Sequence, residues 1–80
     1  MAVEDARHRR LVHHELTRRY VDFSQVDVQV VHGVCYLRGI MRQLRNHPEV
    51  NLDHEAEIIQ KTLMRVNGIR SVVWDVRTMQ

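Results

Sequence analysis

The 80-residue chain has little cysteine and no long apolar run. It has one cysteine, which excludes an internal disulfide framework. No apolar run reaches the ~18 residues of a transmembrane helix. The stretch MAVEDARHRR has acids and arginines where an export signal has an apolar core. We therefore expect a cytoplasmic location, or a periplasmic one if the chain is a domain excised from a longer precursor.

The residue patterns of enzymes and metal sites are also missing. His13-His14-Glu15 lacks the second histidine of the zinc-protease pattern His-Glu-x-x-His, because position 18 is arginine. There is no Cys-x-x-Cys pair, phosphate-binding glycine loop or carboxylate pair. Cys35 falls on an apolar strand face and is expected to be a small buried residue. These absences predict a protein that is not an enzyme and uses no metal, no cofactor and no small-molecule substrate.

The chain is unusually rich in histidine, with six in 80 residues. The net charge is +2 with the six histidines neutral, and it would reach +8 if each gained one proton. Such a change would strengthen attraction to an anionic partner. Solvated histidines without a role are the simpler interpretation, and the sequence does not decide whether they sense pH.

The spacing of apolar residues predicts an amphipathic helix over residues 4–20. Its apolar arc consists of Ala6, Val12, Leu16 and Tyr20, and Phe23 would continue it. Its opposite side carries a basic row made of Arg7, Arg10, His14 and Arg18. Acids at positions 4 and 5 and arginines at 18 and 19 complement the helix dipole.

Alternation of apolar and polar residues predicts a β-hairpin over residues 26–41. His32-Gly33 is its two-residue turn, where positive φ is required. One face is almost wholly apolar and should lie under the helices: Val26, Val28, Val30, Cys35, Leu37, Gly39 and Met41. The other face mixes apolar and polar residues and should be partly open to water. Its apolar members are Val31, Val34, Tyr36 and Ile40.

The remaining chain predicts a connector over 42–51, a helix over 52–66 and a strand over 71–77. Asn51 or Asp53 can cap the helix, and Asn67-Gly68 ends it. The last strand alternates, with Val72, Trp74 and Val76 on one side and Trp74 expected in the core. The sequence thus predicts one domain over 1–80 of class α+β. Its order is α-β-β-α-β, a three-stranded mixed sheet with both helices packed on one face.

The pattern V-x-V-x-V-x-x-G-V-x-x-L-x-G, then a helix ending in V-x-G-I and a strand x-x-V-x-x-x-V, resembles the BON domain of bacteria. The match runs through Val26, Val28, Val30, Gly33, Val34, Leu37 and Gly39, then Ala56, Val66, Gly68, Ile69, Val72 and Val76. All three glycines of the chain, Gly33, Gly39 and Gly68, fall on the glycine positions of the family. Gly33 serves the turn, and Gly39 would let a helix or a crossing backbone approach closely. The connector over 42–51 is longer than is usual in the family, so its geometry is left open.

The resemblance implies a non-catalytic module that contacts anionic phospholipid or a membrane-associated protein. The row Arg7, Arg10, His14 and Arg18 is the candidate membrane contact. An alternative is protein interaction or self-association through the face of Val31, Val34, Tyr36 and Ile40. Nucleic acid is a less favoured partner, because the chain lacks a Gly-x-x-Gly clamp and an aromatic pair on a strand.

Overall fold

The α-β-β-α-β order is present in the computed structural model, which describes the backbone of residues 3–79 and the side chains of residues 5–79. The elements are α1 (Val3–Thr17), β1 (Val21–Val31), β2 (Val34–Gln43), α2 (Leu52–Met64) and β3 (Ser71–Met79). The strands lie in the order β1-β2-β3, with β1 antiparallel and β3 parallel to β2. A parallel neighbour needs a crossover, and α2 provides it. The predicted α+β class with a mixed three-stranded sheet is confirmed.

The hairpin turn has the predicted residues and geometry. His32 and Gly33 have φ of 50° and 81°, and Val31 pairs with Val34 across the turn. This places Val28 beside Leu37 on the buried face, as alternation predicted. The hairpin is longer than the predicted 26–41, because β1 begins at Val21 and β2 ends at Gln43.

The predicted end of the first helix at residue 20 is wrong. The helix ends at Thr17, and the chain turns through residues 18–20 into β1. Tyr20 is therefore absent from the apolar arc: its side chain is 63% exposed and its ring lies 4.5 Å from that of His47. Phe23 lies in β1 and packs against the core from there.

A β-bulge explains why alternation did not reveal the start of β1. Asp22 pairs with Arg42 but Gln25 pairs with Ile40, so three steps on β1 oppose two on β2. The extra residue places Val21 and Val26 on the same face although they are an odd number of residues apart. Asp22 Oδ1 accepts a hydrogen bond from the Ser24 N–H at 2.8 Å within the bulge.

Gly39 lies opposite this bulge. Its φ is 135°, and a Cβ there would stand 2.0 Å from the carbonyl oxygen of Gln25. The close approach that the sequence predicted is real, but it comes from the neighbouring strand and not from a helix or a crossing backbone.

The second helix begins at Leu52, directly after Asn51, which was one of the two predicted cap residues. The Asn51 side chain accepts a hydrogen bond from the His54 N–H at 3.0 Å. The helix ends at Met64 and not at 66, and Gly68 follows with φ of 96°. The strand that follows runs to Met79, beyond the predicted 77, and the connector is shortened to residues 44–51. Val72, Trp74 and Val76 contact the core as expected.

One apolar core lies between the sheet and both helices. It contains Val12 and Leu16 from α1, Val21, Val28, Val30, Cys35, Leu37 and Met41 from the hairpin, Leu52, Ala56, Ile59 and Leu63 from α2, and Ile69. Both helices therefore cover the same face and leave the other face uncovered. None of the helices in the described residues is long and apolar enough to cross a membrane.

Candidate functional site

The outward side of α1 is the first candidate surface. Arg7, Arg10 and His14 are exposed there, on one side of the helix at spacings of three and four. Arg18, the fourth member of the predicted row, lies past the end of the helix at Thr17. Its guanidinium is 3.4 Å from the carboxylate of Glu15. The structure thus brings together three of the four residues and pairs the other with an acid.

The positive charge of this side is not neutralised by described neighbours. Within residues 5–79, four ion pairs form: Arg18 with Glu15, Arg19 with Glu55, Arg38 with Asp75, and His47 with Glu49. None of them involves the three arginines at positions 7, 9 and 10. The outward side of α1 therefore carries positive charge that none of these described ion pairs offsets.

A second row on α1 borders a groove that the sequence did not reveal. Arg9 and His13, one helical turn apart, lie beside β1 in this groove, together with Arg10 and His14 of the outward row. The groove is about 660 Å³ and is lined from α1 by Arg9, Arg10, His13, His14 and Thr17, and from β1 by Val26, Asp27, Val28 and Gln29. Successive side chains of a strand point to opposite faces. Because both faces of β1 line it, the groove runs along the free edge of the strand.

The groove continues into an apolar hollow toward the start of β1. This hollow is about 330 Å³ and shares His13, Thr17, Val26 and Val28 with the basic part. Its other lining residues are Leu16, Arg19, Val21, Phe23, Ser24 and Leu44. We call the two parts together the edge groove: basic beside residues 26–29 and apolar beside residues 21–26.

The free edge of β1 carries unpaired backbone groups. In a two-residue hairpin the residues flanking the turn exchange hydrogen bonds, and the bonding then alternates along the strand. Residues 31, 29 and 27 therefore bond to β2, while Val26, Val28 and Val30 direct their N–H and C=O groups outward. No hydrogen bond to these outward groups occurs among residues 3–79 outside the ladder. Val28 and Val30 are only 5% and 2% exposed, so their outward groups are shielded from solvent, and Val26 is half-buried.

The uncovered face of the sheet is the third candidate surface. Its rows are Val31–Val34–Ser71, Gln29–Tyr36–Val73, Asp27–Arg38–Asp75 and Gln25–Ile40–Arg77. The apolar residues gather in the first two rows, where Val31, Tyr36 and Val73 are 46%, 44% and 44% exposed. Ile40 is separated from them by the charged row and is half-buried. Three of the four predicted interaction residues therefore lie together, and Val73 joins them.

Two polar contacts that join distant segments were missed by sequence reasoning. Arg19 donates to both carboxylate oxygens of Glu55, at 2.9 and 2.7 Å, across 36 positions of sequence. Asp5 is buried, and its carboxylate accepts a hydrogen bond from the His32 N–H at 3.2 Å. Of the two acids, Asp5 was expected only to complement the dipole of the first helix. Local sequence gives no signal for either contact, because each depends on how the helices cross the sheet.

Among the described residues, the titratable group with a strongly shifted pKa is the Cys35 thiol. Burial raises the pKa of the Cys35 thiol to about 11, which keeps it protonated and a poor nucleophile. Within residues 5–79 no three His, Cys, Asp or Glu side chains converge on a point that a metal ion could occupy.

Comparison with known proteins gave no relative. No protein-family model, no curated protein and no solved structure matches the chain.

Proposed function

We propose that the chain is a non-catalytic binding module of the BON type that attaches to anionic membrane surfaces through α1. The observation that carries this proposal is the exposed row of Arg7, Arg10 and His14 on one side of a surface helix, which forms no ion pair with any side chain of residues 5–79. The BON assignment is supported by the order of the elements and by the positive φ of all three glycines at the family positions.

The expected attachment is weak and depends on salt. Each arginine near an anionic surface contributes ~1 kcal/mol. Two arginines therefore give ~2 kcal/mol, and His14 adds to this when it carries a proton. This attraction falls off within a Debye length, which is ~8 Å at physiological ionic strength. The module would thus bind membranes reversibly and respond to their content of anionic lipid.

Vesicle binding tests the proposal. The protein is titrated with phosphatidylcholine vesicles with and without phosphatidylglycerol, and binding is followed by co-sedimentation at low and high salt. We expect binding only to the anionic vesicles and at least about thirtyfold weaker binding by the double variant R7E/R10E, which loses ~2 kcal/mol of attraction and adds repulsion.

The matched control is K61E/R65E, which makes the same charge change at two exposed residues at the end of α2. It should bind anionic vesicles like the wild type. Equal loss in both variants would mean that only net charge matters, and equal binding to both kinds of vesicle would remove the proposal.

Self-association through the uncovered sheet face is a second candidate function. It is favoured by the apolar group of Val31, Tyr36 and Val73, each more than 40% exposed on a face that no helix covers. Exposed apolar groups of this kind mark interaction surfaces.

Sedimentation equilibrium over a range of concentrations tests it. Association should persist at high salt, because apolar contacts are not screened. It should be lost in Tyr36→Lys and kept in Met64→Lys, which alters an equally exposed apolar residue on α2. A monomer at all concentrations would exclude this function.

A further inference from the structure

Beyond membrane attachment, we propose that the edge groove is a binding site for an amphipathic organic anion, a medium-chain carboxylate. The hydrocarbon tail of this ligand would lie in the apolar hollow, and its carboxylate would lie in the basic part of the groove beside α1. The ligand is a dissolved single-chain molecule and not a membrane, so this proposal does not depend on the first.

The hollow is lined for an apolar tail. Its floor is formed by three residues that are each at most 6% exposed, Leu16, Val21 and Val28. Its walls are the half-buried side chains of Phe23, Val26 and Leu44. Its volume of about 330 Å³ is at the lower end of the range of small-molecule sites. A pocket of this size and lining favours a single hydrocarbon chain.

The basic part of the groove is suited to the head group. Arg9 and Arg10 border it and form no ion pair with any side chain of residues 5–79. The acid that lines this part is Asp27, so positive charge is in excess. A guanidinium can donate two parallel hydrogen bonds to a carboxylate. Because His13 and Thr17 line both parts, a carboxylate bound beside them leaves its tail at the entrance to the hollow.

A small ligand fits this groove better than an added peptide strand. A strand would have to bond to the outward backbone groups of successive alternate residues of β1. Those of Val28 and Val30 are covered, since the two residues are 5% and 2% exposed. A carboxylate needs only the side chains that α1 presents to the groove, and a tail needs only the apolar hollow.

A series of straight-chain carboxylates from butanoate to decanoate tests the tail. The full ¹⁵N-labelled chain is titrated with each, below micelle-forming concentrations, and chemical shifts are followed. We expect the shifts to centre on Thr17, Phe23 and Val26, and the affinity to rise about fourfold for each methylene that the hollow buries. The gain should end once the tail outgrows the hollow.

Two results of this series would overturn the proposal. Affinity that does not change with chain length would mean an adventitious ion only. A gain without end, with shifts spread over the uncovered sheet face, would mean adsorption to exposed apolar surface.

Ligands with a similar tail and a different head group test the charge. Octanol should bind at least about tenfold more weakly than octanoate, because hydrogen bonds to a charged group are lost, and octylammonium should not bind. Equal affinity for octanoate and octanol would overturn the proposal. A monomeric short-chain phosphatidylglycerol that binds the same residues more tightly than octanoate would assign the site to a lipid, and would overturn it too.

Two matched pairs of variants locate the head group. Thr17 is exposed where the two parts of the groove meet. Thr17→Glu should weaken octanoate binding at least about tenfold by repulsion, whereas Thr17→Gln, of equal size, should keep it. Arg9→Gln should also weaken it about tenfold, whereas Arg7→Gln should not, because Arg7 does not line the groove.

Equal octanoate affinity within either pair would overturn the placement of the carboxylate and with it the proposal. Vesicle binding should be weakened by Arg7→Gln and octanoate binding should not, so the two proposals can fail separately.

Discussion

At the scale of single residues, the Cys35 thiol is the clearest example of chemistry set by burial. It is 0% exposed, and its pKa is raised from 9.0 to about 11. At pH 8 a pKa higher by about two units lowers the thiolate fraction about 100-fold, before access of the reagent is considered. We therefore expect almost no reaction with Ellman's reagent in native buffer, and complete reaction in guanidinium chloride. Rapid reaction of the native protein would contradict the buried position.

The same shift predicts how stability responds to alkali. The unfolded chain loses the thiol proton near pH 9, whereas the folded chain keeps it to about pH 11. Since the raised pKa disfavours the thiolate in the folded state, this contribution is fully present below pH 9 and is lost as the pH rises toward 11. In urea melts at pH 7 and pH 10, Cys35→Ala should lose less stability on alkalisation than the wild type. An equal loss would mean that the thiol is not the responsible group.

The ion pair of Arg19 and Glu55 is partly buried, whereas that of Arg18 and Glu15 is more exposed. The two pairs can therefore be compared. The side chain of Glu55 is 11% exposed and that of Arg19 is 34% exposed, with hydrogen bonds at both carboxylate oxygens. Arg19→Met should lower the free energy of unfolding by ~1–2 kcal/mol, because it leaves a nearly buried carboxylate without its donor. The control is Arg18→Met, whose side chain is 65% exposed, with an expected loss under ~0.5 kcal/mol. Urea denaturation measures both, and equal losses would contradict this argument.

At the scale of elements, the bulge in β1 and Gly39 in β2 form one structural unit. Gly39→Ala would place a Cβ 2.0 Å from the Gln25 carbonyl oxygen. The backbone φ of 135° at this position is one that residues other than glycine rarely adopt. The obstacle is backbone and cannot rotate away, so the loss should reach ~3 kcal/mol or prevent folding. Val34→Ala, on the exposed side of the same strand, should cost under ~1 kcal/mol. Thermal melts of the two variants make the comparison, and equal melting temperatures would show that the bulge relaxes.

The elements also show where sequence patterns succeed. Alternation and the pair His32-Gly33 gave the hairpin, and Asn51 gave the start of α2, because these signals are local. The boundary between α1 and β1 was wrong because two patterns coincide there. Tyr20 and Phe23 continue the helical spacing, and the bulge breaks the alternation that would have identified a strand. The extra residue of the bulge is therefore the reason why alternation did not predict the first residues of β1.

At the scale of the whole molecule, the candidate surfaces depend on how elements are placed. The basic side of α1 was predictable from spacing alone, apart from Arg18. The edge groove was not, because it arises only when Arg9 and His13 come to lie beside Val28, and nothing local fixes that crossing. The contact between Arg19 and Glu55 was not predictable for the same reason, because it depends on how distant segments are placed.

Hydrogen exchange of the free protein tests the strand order and the register of the whole sheet in one experiment. As the central strand, β2 bonds on both sides, so all its amides from Cys35 to Met41 should be protected. Along β1, protection should be strong at residues 25, 27 and 29, which donate to β2, and weaker at the half-buried Val26. Equal protection of Val26 and its neighbours at 25 and 27 in dilute protein would contradict this pattern. Fast exchange throughout β1 would contradict the register itself, because the odd-numbered amides must donate to β2 for Val28 and Leu37 to share the core.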